Sequence, residues 1–255
     1  MADELPEGTD PTTRLTVLGS GDAFSGCGCN AAYLVDDRVL VDCGAPVQML
    51  LPRAGASVAS LDLVLITHFH ADHTYMLPML LGARAFIGEL RPGLVVAGPP
   101  GTREYVERLL ATGYGRHLTA MIDGRISPQW AVLQDGASVE LAGYRVAAQA
   151  VVHSTGPSLA YTVQRGDGPV LGFSGDTTLC PGLRRTIAAA DVMVCECTGW
   201  DEPTDGGHLW RGELEQLIAS YPATRFVLSH LRTRGIVPGA IMAHDLLGLD
   251  VTADR

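Results

Sequence analysis

Residues 67–73 read Thr-His-Phe-His-Ala-Asp-His, and this heptapeptide determines most of what the sequence predicts about the fold. It directly follows the apolar run 61–66, which is short and rich in branched residues and therefore predicts a buried strand. A strand that ends at such a cluster holds its ligands at a rigid edge. Imidazole with carboxylate suits Zn, Mn or Fe better than Ca or Mg, which prefer oxygen ligands. The heptapeptide thus predicts a metal site, and two metals use its candidate ligands more easily than one: His68, His70, Asp72 and His73.

Length and composition indicate a globular chain. It has 255 residues, of which 47% are hydrophobic, enough to bury a sizeable core in one large domain. No apolar run approaches the roughly 20 residues of a membrane span. Residues 1–13 are acidic and lack the basic start and apolar core of a signal peptide. We therefore expect a disordered tail at 1–13, a single domain at 14–255 and a cytoplasmic protein.

The charged residues exclude several kinds of chemistry. The formal net charge is −10, and all 18 basic residues are arginine. Without lysine the chain cannot form a Schiff base or use a P-loop lysine. An acidic chain is also a poor general binder of nucleic acid, because phosphate neutralisation dominates that affinity. The six cysteines include two C-x-C pairs, which do not match zinc ribbons, so we predict free thiols. A structural metal at Cys27 and Cys29 is the weaker alternative.

Strand-like and helix-like runs alternate along both halves of the chain, which predicts the α/β class. We interpret them as one four-layer αββα domain, two packed sheets with helices outside, although the layering does not follow from the pattern alone. The strand-like runs are 15–19, 31–35, 39–42, 61–66, 94–97, 130–133, 139–141, 144–152, 159–164, 170–173, 192–195 and 226–228. The helical patterns are 46–53, 73–81, 102–112, 181–189 and 211–220.

Three further ligand-type residues each close an apolar strand-like run. They are His153, Asp176 and His230. Strand ends that converge on one rim of a sheet are where sites are built, so we expect these side chains to join the heptapeptide.

The order of these residues resembles the metallo-β-lactamase superfamily of hydrolases, from residue 15 onward. The segments 18–21, 41–44 and 173–177 add to the resemblance. It implies the metallo-β-lactamase αββα sandwich and a dinuclear site. One metal would take His68, His70 and His153, the other would take Asp72, His73 and His230, and Asp176 would bridge them.

The chemistry that the resemblance implies needs no serine or cysteine nucleophile. Two metals about 3.5–4 Å apart lower the pKa of a shared water toward about 7 and polarise the substrate's C=O or P=O oxygen. Asp72 and Asp176 would orient the resulting hydroxide. We expect Zn, although Mn or Fe would fit the same ligands.

Glu196 and His208 resemble a pair found in the ribonuclease Z-like branch of phosphodiesterases. In that branch the pair assists proton delivery to the leaving oxygen. His208 would act as general acid, while Glu196 would hold its tautomer and raise its basicity. The alternatives are a structural salt bridge for Glu196 and a helix-capping role for His208. The segment 243–249 also resembles the C-terminal strand of that branch.

The sequence departs from ribonuclease Z in one respect. Ribonuclease Z carries a long arm between its third and fourth motifs that grips transfer RNA, whereas here only 23 positions separate His153 from Asp176. With the net acidity, this argues against tRNA as a partner. We therefore expect a phosphodiesterase acting on a small phosphodiester, and the family suggests a homodimer.

The alternative activity is a lactonase or thioesterase that hydrolyses a carboxyl ester at the same site. A β-lactamase is disfavoured because secreted lactamases carry export signals and lack the second aspartate of this set of ligand candidates. A flavodiiron oxygen reductase would need a carboxylate at His70 and a further flavin domain. A binding module with an inactive site is disfavoured by the intact set of ligand candidates.

Overall fold

The computed structural model describes residues 12–87, 91, 93–204 and 207–252. Most of the predicted tail, residues 1–11, therefore lies outside the described residues. Thr13, which we assigned to the tail, is the first residue of the first strand and is buried. Within the described ranges, no helix is long and apolar enough to cross a membrane.

Fourteen strands and six helices make up the described part of the chain. The strands are β1 (Thr13–Gly19), β2 (Ala32–Val35), β3 (Val39–Val41), β4 (Leu63–Leu65), β5 (Val95–Gly98), β6 (Gln129–Val132), β7 (Ser138–Leu141), β8 (Tyr144–Val151), β9 (Ser158–Gln164), β10 (Leu171–Phe173), β11 (Val192–Glu196), β12 (Arg225–Ser229), β13 (Ala240–Met242) and β14 (Leu247–Val251). The helices are α1 (Val47–Arg53), α2 (Ala71–Thr74), α3 (Leu77–Phe86), α4 (Thr102–Ile126), α5 (Pro181–Ala189) and α6 (Arg211–Ser220).

The strands form two seven-stranded sheets, each mixed. The first has the order β14-β1-β2-β3-β4-β5-β6, and the second has the order β13-β12-β11-β10-β9-β8-β7. Pairing is parallel from β3 to β6 and from β10 to β13, and antiparallel in the rest of each sheet. Each sheet therefore has a parallel half whose strands end on the same rim, which is where the candidate ligands follow.

The apolar core has three layers that account for the strand patterns. Between the sheets, side chains such as Leu65 and Val17 pack with Tyr161 and Phe173 from the facing sheet. A second layer joins the outer face of the first sheet to α1, α3 and α4, and a third joins the second sheet to α5 and α6. Strands covered on both faces must be apolar throughout, which explains the unbroken run in β11. The predicted αββα sandwich of the α/β class is confirmed.

Two of the predicted helices differ from the structure. The helix expected at 73–81 is two helices, α2 and α3, with a break at Tyr75 and Met76. The helix expected at 102–112 continues to Ile126 across Gly115, whose φ of 71° and ψ of 166° are not helical. Its second half has weak intrinsic helix propensity because of its glycines. The burial of Ile122 and Ile126 against the second core layer compensates for this weakness, and sequence pattern does not reveal such packing.

Candidate metal centre

The rim formed by the parallel strand ends carries all nine predicted site residues. The heptapeptide follows β4, Glu196 is the last residue of β11, and His230 directly follows β12. His153 and Asp176 lie in the loops after β8 and β10. The structure thus brings together residues that are up to 162 positions apart, from His68 to His230.

One group of potential ligand atoms comes from His68, His70, His153 and Asp176, and these atoms lie within 4.8 Å of one another. His153 Nε2 is 2.9 Å from His70 Nδ1. Asp176 Oδ2 lies 3.7 Å from His68 Nε2 and 3.8 Å from His153 Nε2. We call this group the first cluster, and it matches the set that the resemblance implied for one metal.

The second cluster comprises Asp72, His73, Asp176 and His230, all buried. His230 Nε2 lies 3.0 Å from Asp72 Oδ2 and 3.4 Å from Asp176 Oδ2. His73 Nε2 lies 3.3 Å from Asp176 Oδ1 and 3.5 Å from Asp72 Oδ2. Asp176 therefore belongs to both clusters, with one carboxylate between the two groups of histidines.

Two members of the second cluster, Asp72 and His73, lie on α2. This single turn begins after His70, and the Thr74 hydroxyl donates a hydrogen bond to the His70 carbonyl over 2.7 Å. Cys43 N donates to the His73 carbonyl, which ties the turn to the end of β3. A Cβ at Gly44 would lie 1.6 Å from the Asp72 carbonyl oxygen, so only glycine permits this close approach.

Asp42, which we did not predict as a site residue, anchors ligand candidates from both clusters. It is fully buried with a φ of 58°, and its Oδ2 accepts from His73 Nδ1 over 2.7 Å and from the Thr67 hydroxyl over 2.8 Å. Because the Thr67 hydroxyl donates to Asp42, it accepts from His68 Nδ1, 3.0 Å away. Such contacts fix the tautomer and ring orientation of ligating histidines. They direct the Nε2 lone pairs of His68 and His73 into the centre.

Thr198 orients the imidazole of His230 through its Nδ1 atom, as Thr67 does for His68. Its hydroxyl donates to Glu196 Oε2 over 2.8 Å and so accepts from His230 Nδ1, also 2.8 Å away. His153 Nδ1 donates to the Gly207 carbonyl over 3.1 Å. Nothing in the sequence distinguished Thr198 from other threonines. The 41–44 segment of the resemblance did include Asp42, but gave it no role.

The potential ligand atoms of both clusters suit divalent cations. His68 Nε2, His73 Nε2 and Asp176 Oδ1 are buried without any hydrogen-bond partner among the described residues. With Nδ1–H donated outward, the His230 Nε2 lone pair faces the Asp72 carboxylate, and two acceptors so close require a cation between them. Buried acceptors of this kind cost free energy unless a proton or a metal ion satisfies them. Imidazole and carboxylate together are ligands of Zn, Mn and Fe.

Charges within the centre oppose the effect of burial. Without a metal ion, protons on His230 and His73 satisfy the buried acceptors: burial works to raise the pKa of Asp176, but the charges of those two imidazoles outweigh it and hold that pKa well below its ordinary value. Burial likewise works to raise the pKa of Asp72, and the neighbouring imidazoles of His230 and His73, which carry protons when no metal ion is bound, hold it below its ordinary value. Both groups are therefore carboxylates at neutral pH, the form that binds a metal ion.

Glu196 and His208 form a pair beside the clusters. His208 Nδ1 lies 3.0 Å from Glu196 Oε1 and 3.8 Å from Asp176 Oδ2. Burial works to lower the pKa of His208, but the hydrogen bond and charge of Glu196 raise it above its ordinary value. His208 does not cap α6, whose N-cap is Trp210, whereas Glu196 does form an ion pair with His208 in addition to its contacts with Thr177 N and Thr198.

A cavity of about 380 Å³ opens onto the centre. His70, Asp72, Asp176, His208 and His230 line its floor. Its remaining wall includes residues that sequence reasoning missed, and they combine an apolar surface with one guanidinium: Phe24, Tyr75, Met76 and Arg232. The predicted free thiols are consistent with the structure, since all six cysteines are unpaired and none belongs to a potential metal-holding group of the described residues.

The chain resembles known proteins along most of its length. Residues 37–231 match the family model described as Beta-lactamase superfamily domain. Ribonuclease Z of Methanosarcina acetivorans is 26% identical, with 93% of this chain and 98% of that protein aligned. The metallo-β-lactamase fold protein YhfI of Bacillus subtilis has a TM-score of 0.76 and 19% identity over 95% of this chain and all of that one. Human tRNase Z, short form, has a TM-score of 0.73 and 21% identity over 92% and 98%.

These matches agree with the fold and with the His and Asp clusters on its rim. The family match spans more than half of the chain and ends just after His230, so it includes every residue of both clusters. The chain therefore belongs to the metallo-β-lactamase superfamily of metal-dependent hydrolases.

Proposed function

We propose that the protein is a phosphodiesterase that cleaves a small phosphodiester with two divalent metal ions, most simply Zn. The observation that carries this proposal is the Glu196–His208 pair, held 3.0 Å apart and adjacent to the shared carboxylate of Asp176. Hydrolysis of a phosphodiester needs a proton for its leaving oxygen. A partly buried imidazole whose pKa a carboxylate raises is suited to deliver that proton.

Each group of residues has a distinct role in this proposal. The first cluster would hold one ion, the second would hold the other, and Asp176 would contact both. When bound, such ions activate a water and neutralise charge that develops on the phosphoryl oxygens. Asp72 and Asp176 would accept hydrogen bonds from such a water and orient it. His208 donates its proton to the leaving oxygen, and Glu196 keeps the imidazole aligned through Nδ1. Arg232 adds a positive charge at the cavity wall.

Two observations support a small substrate over transfer RNA. The alignment with the Methanosarcina acetivorans enzyme extends over 307 positions, more than the 255 residues of this chain, so that relative carries segments absent here. Between His153 and Asp176 this chain has only β9, β10 and their connecting loops. The net charge of −10 also opposes the phosphate contacts on which tRNA affinity depends.

The test is a hydrolysis screen on metal-loaded protein, with metal content measured on the same sample. Its substrates are bis(p-nitrophenyl) phosphate, a tRNA precursor with a 3′ extension, a lactone and a thioester. We expect turnover of the phosphodiester at about two metal ions per chain. Turnover of the lactone or thioester alone would contradict the phosphodiesterase proposal and support the carboxyl-ester alternative. Cleavage of the tRNA precursor at a comparable rate would contradict the small-substrate part of it.

A further inference from the structure

Phe24 is unusual in this structure because its side chain is almost fully exposed at the edge of the catalytic cavity. The exposed fraction is 95%, the highest among the large apolar side chains of the described residues. Tyr75, which lines the same cavity, is 60% exposed. An exposed aromatic side chain that lines a cavity beside reacting groups is in position to contact a ligand.

The loop that carries Phe24 is held firmly. The buried carboxylate of Asp22 accepts from the backbone N–H groups of Phe24 and Ser25 over 3.3 Å and 2.8 Å. Its other oxygen accepts from Arg232 Nε over 2.8 Å. The Ser25 hydroxyl donates to the Leu231 carbonyl over 3.0 Å. These contacts tie the loop to the segment that directly follows His230, so the position of Phe24 is coupled to the second cluster.

Most of the cavity wall beside Phe24 is apolar, with Asp22, Asn30 and Arg232 as its polar members besides His208 and the two clusters, and this limits what can bind there. Ala23, Ala71, Tyr75 and Met76 line the cavity together with Phe24. Such a surface favours a flat or apolar substituent of the substrate and disfavours a charged one. A nucleobase satisfies this requirement, since every base has an aromatic face that stacks on such side chains.

A neighbouring cavity of about 610 Å³ shares Phe24, His208 and Arg232 with the first. Asp201 and Glu202 line it beside Trp200. Among the described residues, Arg232 contributes the one guanidinium that lines either cavity. Carboxylates repel further phosphate groups, so the charge balance permits one phosphate at the metal centre and disfavours a polynucleotide that continues into the second cavity.

We propose that Phe24 and Tyr75 form a stacking site for an aromatic base. The base belongs to the substituent that stays esterified to the phosphate after cleavage, so the preferred substrate is a nucleoside phosphodiester with a single phosphate. This inference rests on the proposed phosphodiesterase function. His208, at the junction of the two cavities, protonates the leaving oxygen, so the leaving group occupies the second cavity. The substituent that stays on the phosphate then lies in the first cavity, which opens onto the metal centre, against Phe24 and the apolar side chains beside it.

The experiment compares two esters with the same leaving group, thymidine 5′-(p-nitrophenyl phosphate) and methyl p-nitrophenyl phosphate. We expect the wild-type protein to hydrolyse the nucleoside ester with a kcat/KM about tenfold or more above that of the methyl ester. Phe24 also lines the second cavity, so an effect on the shared p-nitrophenyl leaving group would alter both esters alike, whereas loss of base stacking raises KM for the nucleoside ester alone. Phe24→Ala should therefore abolish the preference for the nucleoside ester. Phe24→Trp should retain it. Phe86→Ala removes a half-exposed ring that lines neither cavity, and it should change neither ester.

Binding of thymidine 5′-monophosphate, measured by calorimetry, separates this inference from the activity on which it rests. Weaker binding by Phe24→Ala, with neither ester hydrolysed by the wild type, would support the stacking site and contradict the phosphodiesterase. Equal hydrolysis of both esters by the wild type would overturn the stacking site and leave the phosphodiesterase standing. An equal proportional loss on both esters in Phe24→Ala, with the preference for the nucleoside ester retained, would overturn the stacking site for the base and leave Phe24 as a contact of the shared leaving group or of the fold. A changed oligomeric state by light scattering would overturn it and identify Phe24 as a subunit contact.

Discussion

Replacing Thr198 by valine tests whether the two clusters are separate metal sites. The change removes the hydroxyl that accepts from His230 Nδ1 and donates to Glu196 Oε2, each over 2.8 Å. Valine has nearly the same shape, and Thr198 is buried, so the fold should persist. The predicted consequence is a weaker metal ion at the second cluster, because His230 loses the contact that orients its ring.

Of the two hydrogen bonds that are lost, the one from His230 Nδ1 sets the size of the effect on the second cluster. A hydrogen bond that involves a charged group contributes about 1.5–3 kcal/mol, and each factor of ten in affinity corresponds to about 1.4 kcal/mol. Metal affinity at the second cluster should therefore fall about ten- to a hundredfold, which is also the usual consequence of losing such an outer contact. The first cluster should change little, since Thr198 contacts none of its histidines.

The assay is calorimetric titration of metal-free protein with Zn²⁺, together with metal analysis after dialysis against a weak chelator. Thr67→Val is the matched variant, since it removes the hydroxyl that accepts from His68 Nδ1 over 3.0 Å. Its backbone N–H still donates to Asp42 Oδ1. We expect Thr67→Val to weaken the first cluster and Thr198→Val the second, while Thr198→Ser restores wild-type affinity.

The reasoning would be refuted if each variant weakened both sites equally, or if neither changed metal affinity while both remained folded by circular dichroism. The first result would mean that the clusters act as one site. The second would mean that the threonine hydroxyls do not orient the ligands.

Three further predictions concern the ligands, the acid and the core. His70→Ala should lose metal from the first cluster and nearly all hydrolysis with an unchanged fold, and normal turnover would contradict the dinuclear assignment. His208→Gln should lower kcat by about 10²–10⁴-fold and keep both metals, as metal analysis would show; loss of a metal would make His208 a ligand instead. Phe226→Ala, at a fully buried position between β12 and its covering helices, should destabilise folding by about 3–5 kcal/mol in denaturant titrations, and a change below 1 kcal/mol would contradict the described core.

Most strands were predictable because their cause is local. Branched apolar runs bounded by polar residues gave the first twelve strands to within two residues at their starts and one at their ends. Helices α5 and α6 begin and end where the pattern placed them. The second half of α4 was missed because its glycines carry a weak helix signal, and its stability comes from burial against the sheet. Strand β13, three partly buried residues at the edge of the second sheet, was not predicted.

Chemical identity and strand-end position are properties of the sequence itself, so the sequence alone determined the ligand candidates and the family. Imidazoles and carboxylates at the ends of buried strands have no packing role, and their density at 67–73 already distinguished them. Only the tertiary structure decided which atoms face each other. The positions of Asp176 between two clusters, of Asp42 and Thr198 behind the histidines, and of Phe24 at the cavity edge arise from contacts between segments 30 to 210 positions apart. Such contacts depend on how the two sheets pack together, and local periodicity carries no information about that packing.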